Sequence, residues 1–377
     1  MKRLVCLVGV LCLLAMPVEA ASERKSLLLM EASTGQILRQ ENAHEALAPA
    51  SVTKVMTLLL IMEAVDSGSV RWEDTVTASE TAAAKGGSQV YLKAGETMSV
   101  RDMVKSIAVS SANDCACAMA EHLAGSETAF VEKMNARAAE LGMADTHFVN
   151  CTGLDDGENA HLHRTSAYDI ALMSRELLTK HPDIEKFTTI WMDTIRNGTF
   201  GLSNTNKLIR FYPGATGLKT GFTSGAGFCL SASARREGME LIAVVMGAES
   251  SKARFAACRG MLDYGFASFA LIAPEAPRGQ GVPVVLGREA SVEPVLGETG
   301  GFLVEKARKN SVKSEILLEE SLEAPVSKGQ KIGTLRLLAG DQLLTEIPLV
   351  AEKAVERLRW TEIFVRVLGR AAMAKQG

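Results

Sequence analysis

The chain has 377 residues, 47% of them hydrophobic and 23% charged, enough for about two or three domains rather than one. Those fractions lie near the globular average and exclude a disordered, collagen-like or disulfide-stapled chain. Lys+Arg 41 against Asp+Glu 44 gives a formal net charge of −3, which argues against a general nucleic-acid binder. No internal apolar run is long enough for a transmembrane bundle.

In chain order, Lys2 and Arg3 precede the apolar run Leu4–Met16, and Val18 and Ala20 put small residues just before a cut. That layout predicts a secretory signal peptide over residues 1–20 and an exported product. Cys6 and Cys12 leave with it. Cys115, Cys117, Cys151, Cys229 and Cys258 remain and read as small buried side chains, since so sparse a set makes no disulfide framework. Ser26–Arg39 predicts two short strands around a turn at Ser33-Thr34-Gly35. Residues 51–65 predict an apolar helix after Pro49. From 70 to 180 the period is mostly helical, over Val100–Ile107, Asp114–Leu123, Glu127–Leu141 and Ser166–Leu177. Gly217–Thr223, Phe228–Ala234 and Met239–Gly247 then predict strands, the last two an antiparallel hairpin, and Arg254–Phe266 a helix. A sheet drawn from both ends of this region, with a helical block inserted, leaves a cleft at the seam where ligand sites concentrate.

The Pro- and Gly-rich segment 273–285 marks a boundary. Short alternating bursts follow at Ser314–Leu318, Gly333–Leu338 and Leu343–Val350, predicting a small β domain over residues 285–352. Over residues 353–377, Trp360, Ile363, Phe364, Val367, Leu368 and Ala371 form one apolar helical stripe. Arg357, Arg359, Arg366, Arg370 and Lys375 face Glu362 alone in the last 21 residues, so this amphipathic helix is basic on an acidic protein. It suits the surface of an anionic membrane, although docking on its own domain satisfies the same pattern.

Three short motifs carry chemistry. Ser51-Val52-Thr53-Lys54 places a hydroxyl and an amine on one face of a helix start. Serine needs a base to become a nucleophile, and lysine serves only when neutral; Val52, Val55, Met56 and Leu58, with the positive helix terminus, push it that way. Ser22-Glu23-Arg24-Lys25 repeats the spacing among charges and is assigned no role. Ser111-Ala112-Asn113, between two helices, offers a hydroxyl to relay protons and an amide to hold substrate. Lys219-Thr220-Gly221, on a strand, offers a fixed positive charge, a hydroxyl and room for a substrate backbone.

In this order the motifs match the signature of penicillin-binding proteins and active-site-serine β-lactamases. With Ala48–Thr57, Gly86–Glu96, Phe148–Asp155, Thr165–Ala171 and Gly217–Leu230, the chain resembles a low-molecular-weight penicillin-binding protein, a serine-type D-alanyl-D-alanine carboxypeptidase. The resemblance covers most of residues 25–270 and implies an α+β fold. A transpeptidase-like domain, antiparallel sheet plus helical lobe, would span residues 21–272, followed by the small all-β domain and the terminal helix.

It further implies that Ser51 attacks the carbonyl between the two terminal D-alanines of a peptidoglycan stem pentapeptide, with Lys54 as base. Backbone N–H groups of Ser51 and Phe222 form the oxyanion hole. Ser111 carries the proton to departing D-alanine, and Asn113 orients the substrate. Lys219, Thr220 and Gly221 receive the substrate's carboxylate end, helped by Arg254, which could equally make a structural ion pair. β-Lactam antibiotics would acylate Ser51, at the outer face of the bacterial cytoplasmic membrane. No cofactor, metal or nucleic acid is implied. His161-x-His163 finds no third metal ligand at a convincing spacing, and both histidines read as structural or exposed. Other outcomes of the same apparatus are a β-lactamase, a DD-endopeptidase and a non-catalytic muropeptide or β-lactam sensor. Glu158-Asn159-Ala160-His161-Leu162 lacks the asparagine a common β-lactamase pattern expects, and a sensor would be expected to have lost Lys54 or Lys219.

Overall fold

A computed structural model describes residues 25–297 and 301–373; the expected signal peptide lies outside the described residues. Five strands form the central antiparallel sheet: β1 Ser26–Glu31, β2 Ile37–Glu41, β3 Ala215–Thr223, β4 Gly227–Arg236 and β5 Met239–Ala248. Their spatial order is β2-β1-β5-β4-β3. The early strand β1 therefore pairs with the late strand β5, from Ser26↔Met246 to Glu31↔Leu241. Both strands are apolar on both faces, and alternation sends their residues into two different cores. Leu28, Met30, Ile242 and Val244 pack against the helical lobe, whereas Leu27, Leu29, Leu241 and Ala243 pack against Cys258, Met261, Leu262 and Phe266 of a helix on the opposite face. The turn after β1 is closed by the buried Glu31 carboxylate, which accepts from the Ser33 and Thr34 amides and hydroxyls.

Five longer helices build the lobe: α1 Lys54–Asp66, α2 Val100–Ser110, α3 Asn113–Ala124, α4 Glu127–Glu140 and α5 Ala167–Lys180. Helix α6 Ser251–Ser268 covers the other sheet face. Ser99, Ser126, Ser166 and Ser250 each accept from an amide of the first turn, which fixes the starts of α2, α4, α5 and α6. Two features differ from the expectation. The helix at 51–65 opens as a 3-10 turn, Ala50–Thr53, before α1 begins. The largely helical block also contains a small ribbon, Thr75–Thr77 paired with Thr97–Ser99, whose strands are too short to display a period.

Beyond residue 280, Val312–Leu318, Lys331–Ala339 and Gln342–Ala351 form a sheet with Pro294–Leu296, over clusters separate from the first two cores. Phe269–Ile272 pairs antiparallel with Phe302–Glu305 and ties this part to the chain after α6. Helix α7 Trp360–Met373 follows. Its polar side is fastened by Glu362 to Arg288 at 3.3 Å and by Arg366 donating to the Arg288 carbonyl at 3.0 Å. Trp360 and Phe364 are 78% and 58% exposed. No described helix is long and apolar enough to cross a membrane.

Candidate active site

Ser51 sits in the 3-10 turn directly after Ala50, whose φ of +48° is a strained value for a residue with a side chain. A hydrogen-bond chain holds the turn. The Val149 N–H donates to Nδ1 of buried His163 at 3.1 Å, His163 Nε2 meets Thr53 Oγ1 at 2.7 Å, and Thr53 donates to the Ala50 carbonyl at 2.8 Å. With Nδ1 accepting, Nε2 carries the proton. Burial, joined by the nearby charges of His147, Arg164 and Lys54, lowers the His163 pKa to about 4, so the ring is neutral. His163 is thus structural, as its sequence context suggested, while His161 is exposed.

One helical turn on, Lys54 Nζ lies 3.0 Å from Ser51 Oγ and donates to the Thr152 carbonyl at 2.7 Å. The side chain is fully buried. Desolvation lowers its pKa to about 7, against the opposing pull of Cys151 and Asp114. A neutral amine keeps an N–H for Thr152 and turns its lone pair to the serine hydroxyl. Thr152 is a residue that spacing arguments miss, because the acceptor is backbone and any residue type supplies one.

Ser111 ends α2 in the left-handed region at φ +63°, and Asn113 opens α3. Asn113 is 1% exposed; its Nδ2 donates to the Gly86 carbonyl at 2.7 Å, and its Oδ1 has no partner among the described residues. An orphaned buried acceptor beside a cleft is suited to a ligand amide.

β3 runs against the Ser51 turn. A Cβ on Gly221 would lie 2.7 Å from the Pro49 carbonyl oxygen and 3.0 Å from Ser51 N, so only glycine permits this approach. Thr220 Oγ1 donates to Thr205 Oγ1 at 2.7 Å, and the Thr205 amide donates to the Val109 carbonyl at 3.1 Å. Thr205, which no motif signalled, therefore bridges the strand to the segment carrying Ser111. Phe222 turns its ring outward, 55% exposed, and stacks on Phe228.

The structure adds to two sequence expectations. Burial, then the charges of Lys54 and Arg254, lower the Lys219 pKa well below the usual lysine range. Its amine donates to the Thr220 carbonyl at 2.8 Å, and an arriving anion is what would favour its protonated form. Arg254 makes no ion pair among the described residues. Its guanidinium donates to the carbonyls of Gly221 at 2.7 Å and Cys229 at 3.1 Å and lies over the Phe228 and Phe255 rings, so it props the strand from behind. All five described cysteines are buried and free.

Residues 15–250 match the profile of a family described as D-alanyl-D-alanine carboxypeptidase, Peptidase S11, and residues 276–357 match that of penicillin-binding protein 5, C-terminal domain. The chain is 44% identical over 358 residues to D-alanyl-D-alanine carboxypeptidase DacF of Bacillus subtilis (strain 168), covering 93% of this chain and 90% of the relative. Penicillin-binding protein 5 from Haemophilus influenzae superposes with a TM-score of 0.76 at 30% identity, over 88% of this chain and 97% of that one. Penicillin-binding protein D2 from Listeria monocytogenes, solved in an ampicillin-bound form, gives 0.59 at 31% identity, over 64% of this chain and 96% of that one. With residues 15–250 matching the family profile and 44% identity to a named member over most of both chains, the chain belongs to the D-alanyl-D-alanine carboxypeptidase family, Peptidase S11.

Proposed function

We propose that this protein is a serine-type carboxypeptidase that removes the terminal D-alanine from peptidoglycan stem peptides through a Ser51 acyl-enzyme. The observation that carries the reading is the Lys54 amine, 3.0 Å from the Ser51 hydroxyl and buried until its pKa falls to about 7. Neutral Lys54 takes the hydroxyl proton as Ser51 Oγ attacks the penultimate D-alanine carbonyl, and the amides of Ser51 and Phe222 receive the developing oxyanion. The C–N bond breaks as Ser111 passes the proton to the departing amine. Water, deprotonated by the same lysine, then cleaves the ester and restores Ser51. Asn113 accepts a substrate amide N–H at its free Oδ1, and Lys219 with Thr220 holds the terminal carboxylate. Arg254 is a positioning residue, acting through the Gly221 carbonyl.

β-Lactams, whose strained amide presents the same carbonyl and carboxylate, would acylate Ser51; the ampicillin-bound Listeria relative supports this. Export by residues 1–20, chemistry in 21–272, and attachment through 353–377 to the outer face of an anionic membrane complete the proposal. The basic stripe and the exposed Trp360 and Phe364 support the attachment.

The test is mass spectrometry of a pentapeptide ending in D-Ala-D-Ala. Loss of a single alanine is expected, together with covalent penicillin labelling that Ser51→Ala abolishes. Retention of both alanines, or label persisting in Ser51→Ala, would overturn the reading; sustained multiple-turnover penicillin hydrolysis would redirect it to a β-lactamase.

A further inference from the structure

Of the five free cysteines, two meet. Cys117 on α3 and Cys151 in the loop Asn150–Gly153 are both completely buried. They converge on one carboxylate, that of Glu127 at the start of α4. The Cys151 thiol donates to Oε1 at 3.2 Å and the Cys117 thiol to Oε2 at 3.9 Å. The two thiols are also hydrogen-bonded to each other. The thiols of Cys229 and Cys258 instead donate to backbone carbonyls, of Ala48 and Ala226 and of Ala243.

Glu127 does not depend on either thiol. It pairs with Lys85 at 2.5 Å and accepts from the Cys151 amide at 3.2 Å, so sulfurs that turned from it to each other would orphan no buried acceptor. The backbone around Cys151 is the part that grips α1. The Cys151 carbonyl accepts from Thr57 Oγ1 at 2.7 Å, and the next carbonyl, that of Thr152, accepts from Lys54 at 2.7 Å.

We propose that Cys117 and Cys151 form a disulfide site, and that oxidation there ties the Asn150–Gly153 loop to α3. The oxidant is another disulfide, either a small one or that of a thiol–disulfide oxidoreductase, as an exported chain would meet. One cysteine thiolate attacks a sulfur of that disulfide and expels a thiolate. The second cysteine then displaces the other half, closing the Cys117–Cys151 bond. The protein gives up two protons and two electrons, and the oxidant leaves as two thiols. Burial shields both sulfurs in the folded protein, so exchange is fastest while the chain folds. The bond closes a loop that includes all of α4, and removing that freedom from the unfolded chain stabilises the fold. The sulfur chemistry stands apart from the proposed function; only its effect on the Lys54 site rests on that reading.

The experiment exposes the purified protein to oxidised or fully reduced glutathione, both as the folded chain and during refolding from guanidinium. Digestion without reductant and mass spectrometry should find one cross-linked peptide pair, Cys117 with Cys151, and thiol titration a loss of two thiols. The oxidised protein should melt about 5 °C above the reduced one, and its Ser51 penicillin labelling should survive correspondingly stronger heating. Cys117→Ala and Cys151→Ala should each erase the redox difference. Absence of that peptide pair from both the folded and the refolded samples, pairing among other cysteines in its place, or equal melting midpoints in the two redox states overturns the proposal. No penicillin labelling in either redox state overturns the Ser51 reading and leaves the disulfide standing.

Discussion

Lys54 is the residue on which the chemistry turns. Its amine is neutral above a pKa of about 7 and protonated below it. Acylation by penicillin should therefore rise about ten-fold per pH unit below neutrality and level off above it; a flat rate from about pH 5 to about pH 9 would remove Lys54 as the base. Lys54→Arg keeps a charge that cannot be shed and should lower acylation by at least ~10²-fold in a stopped-flow assay. The serine and lysine were legible in the sequence because a spacing of three is local and both residue types are chemically marked. Their surroundings were not. Thr152 contributes only a carbonyl, from 98 positions away, and Thr205 is one unremarkable loop threonine. Lys219 shows the same limit in another form: the residue type is read from sequence, while its charge state depends on burial that only the assembled fold creates.

At the level of elements, the loop Asn150–Gly153 and the turn Ala50–Thr53 work as a unit. The loop holds Lys54 through Thr152 and is itself held by Asn150 Oδ1, which accepts from the amides of Thr152 and Gly153. Gly153 has φ +81°, and a Cβ there would fall 1.8 Å from the Ala50 carbonyl oxygen. Gly153→Ala must push the two apart. It should destabilise the protein by about 2 kcal/mol or more in denaturant titration and lower penicillin acylation by ~10²-fold; wild-type acylation would uncouple loop from turn. Helices α2 to α6 and strands β3 to β5 could be read from period because each is long enough to repeat it. Three-residue ribbon strands are not, and the 3-10 turn at Ser51 has no periodic mark of its own. It exists because His163, far along the chain, fastens Thr53 to the Ala50 carbonyl.

On the scale of the whole molecule, α7 is bound to the rest of the chain by its charged side while Trp360, Phe364 and Val365 remain exposed. Deleting residues 360–377 should abolish co-sedimentation with anionic phospholipid vesicles and leave hydrolysis of a soluble peptide unaltered; vesicle binding by the truncated protein would assign attachment elsewhere. The placement of β1 between β2 and β5 has a different consequence. β1 is the first strand to leave the ribosome, yet its partner β5 is not complete until Ala248 has been made. Two-thirds of the chain must emerge before the central ladder can close, and such distant pairing is intrinsically slow. A polypeptide delayed in this way stays threadable, which is the condition a translocation channel would impose if residues 1–20 direct export as proposed.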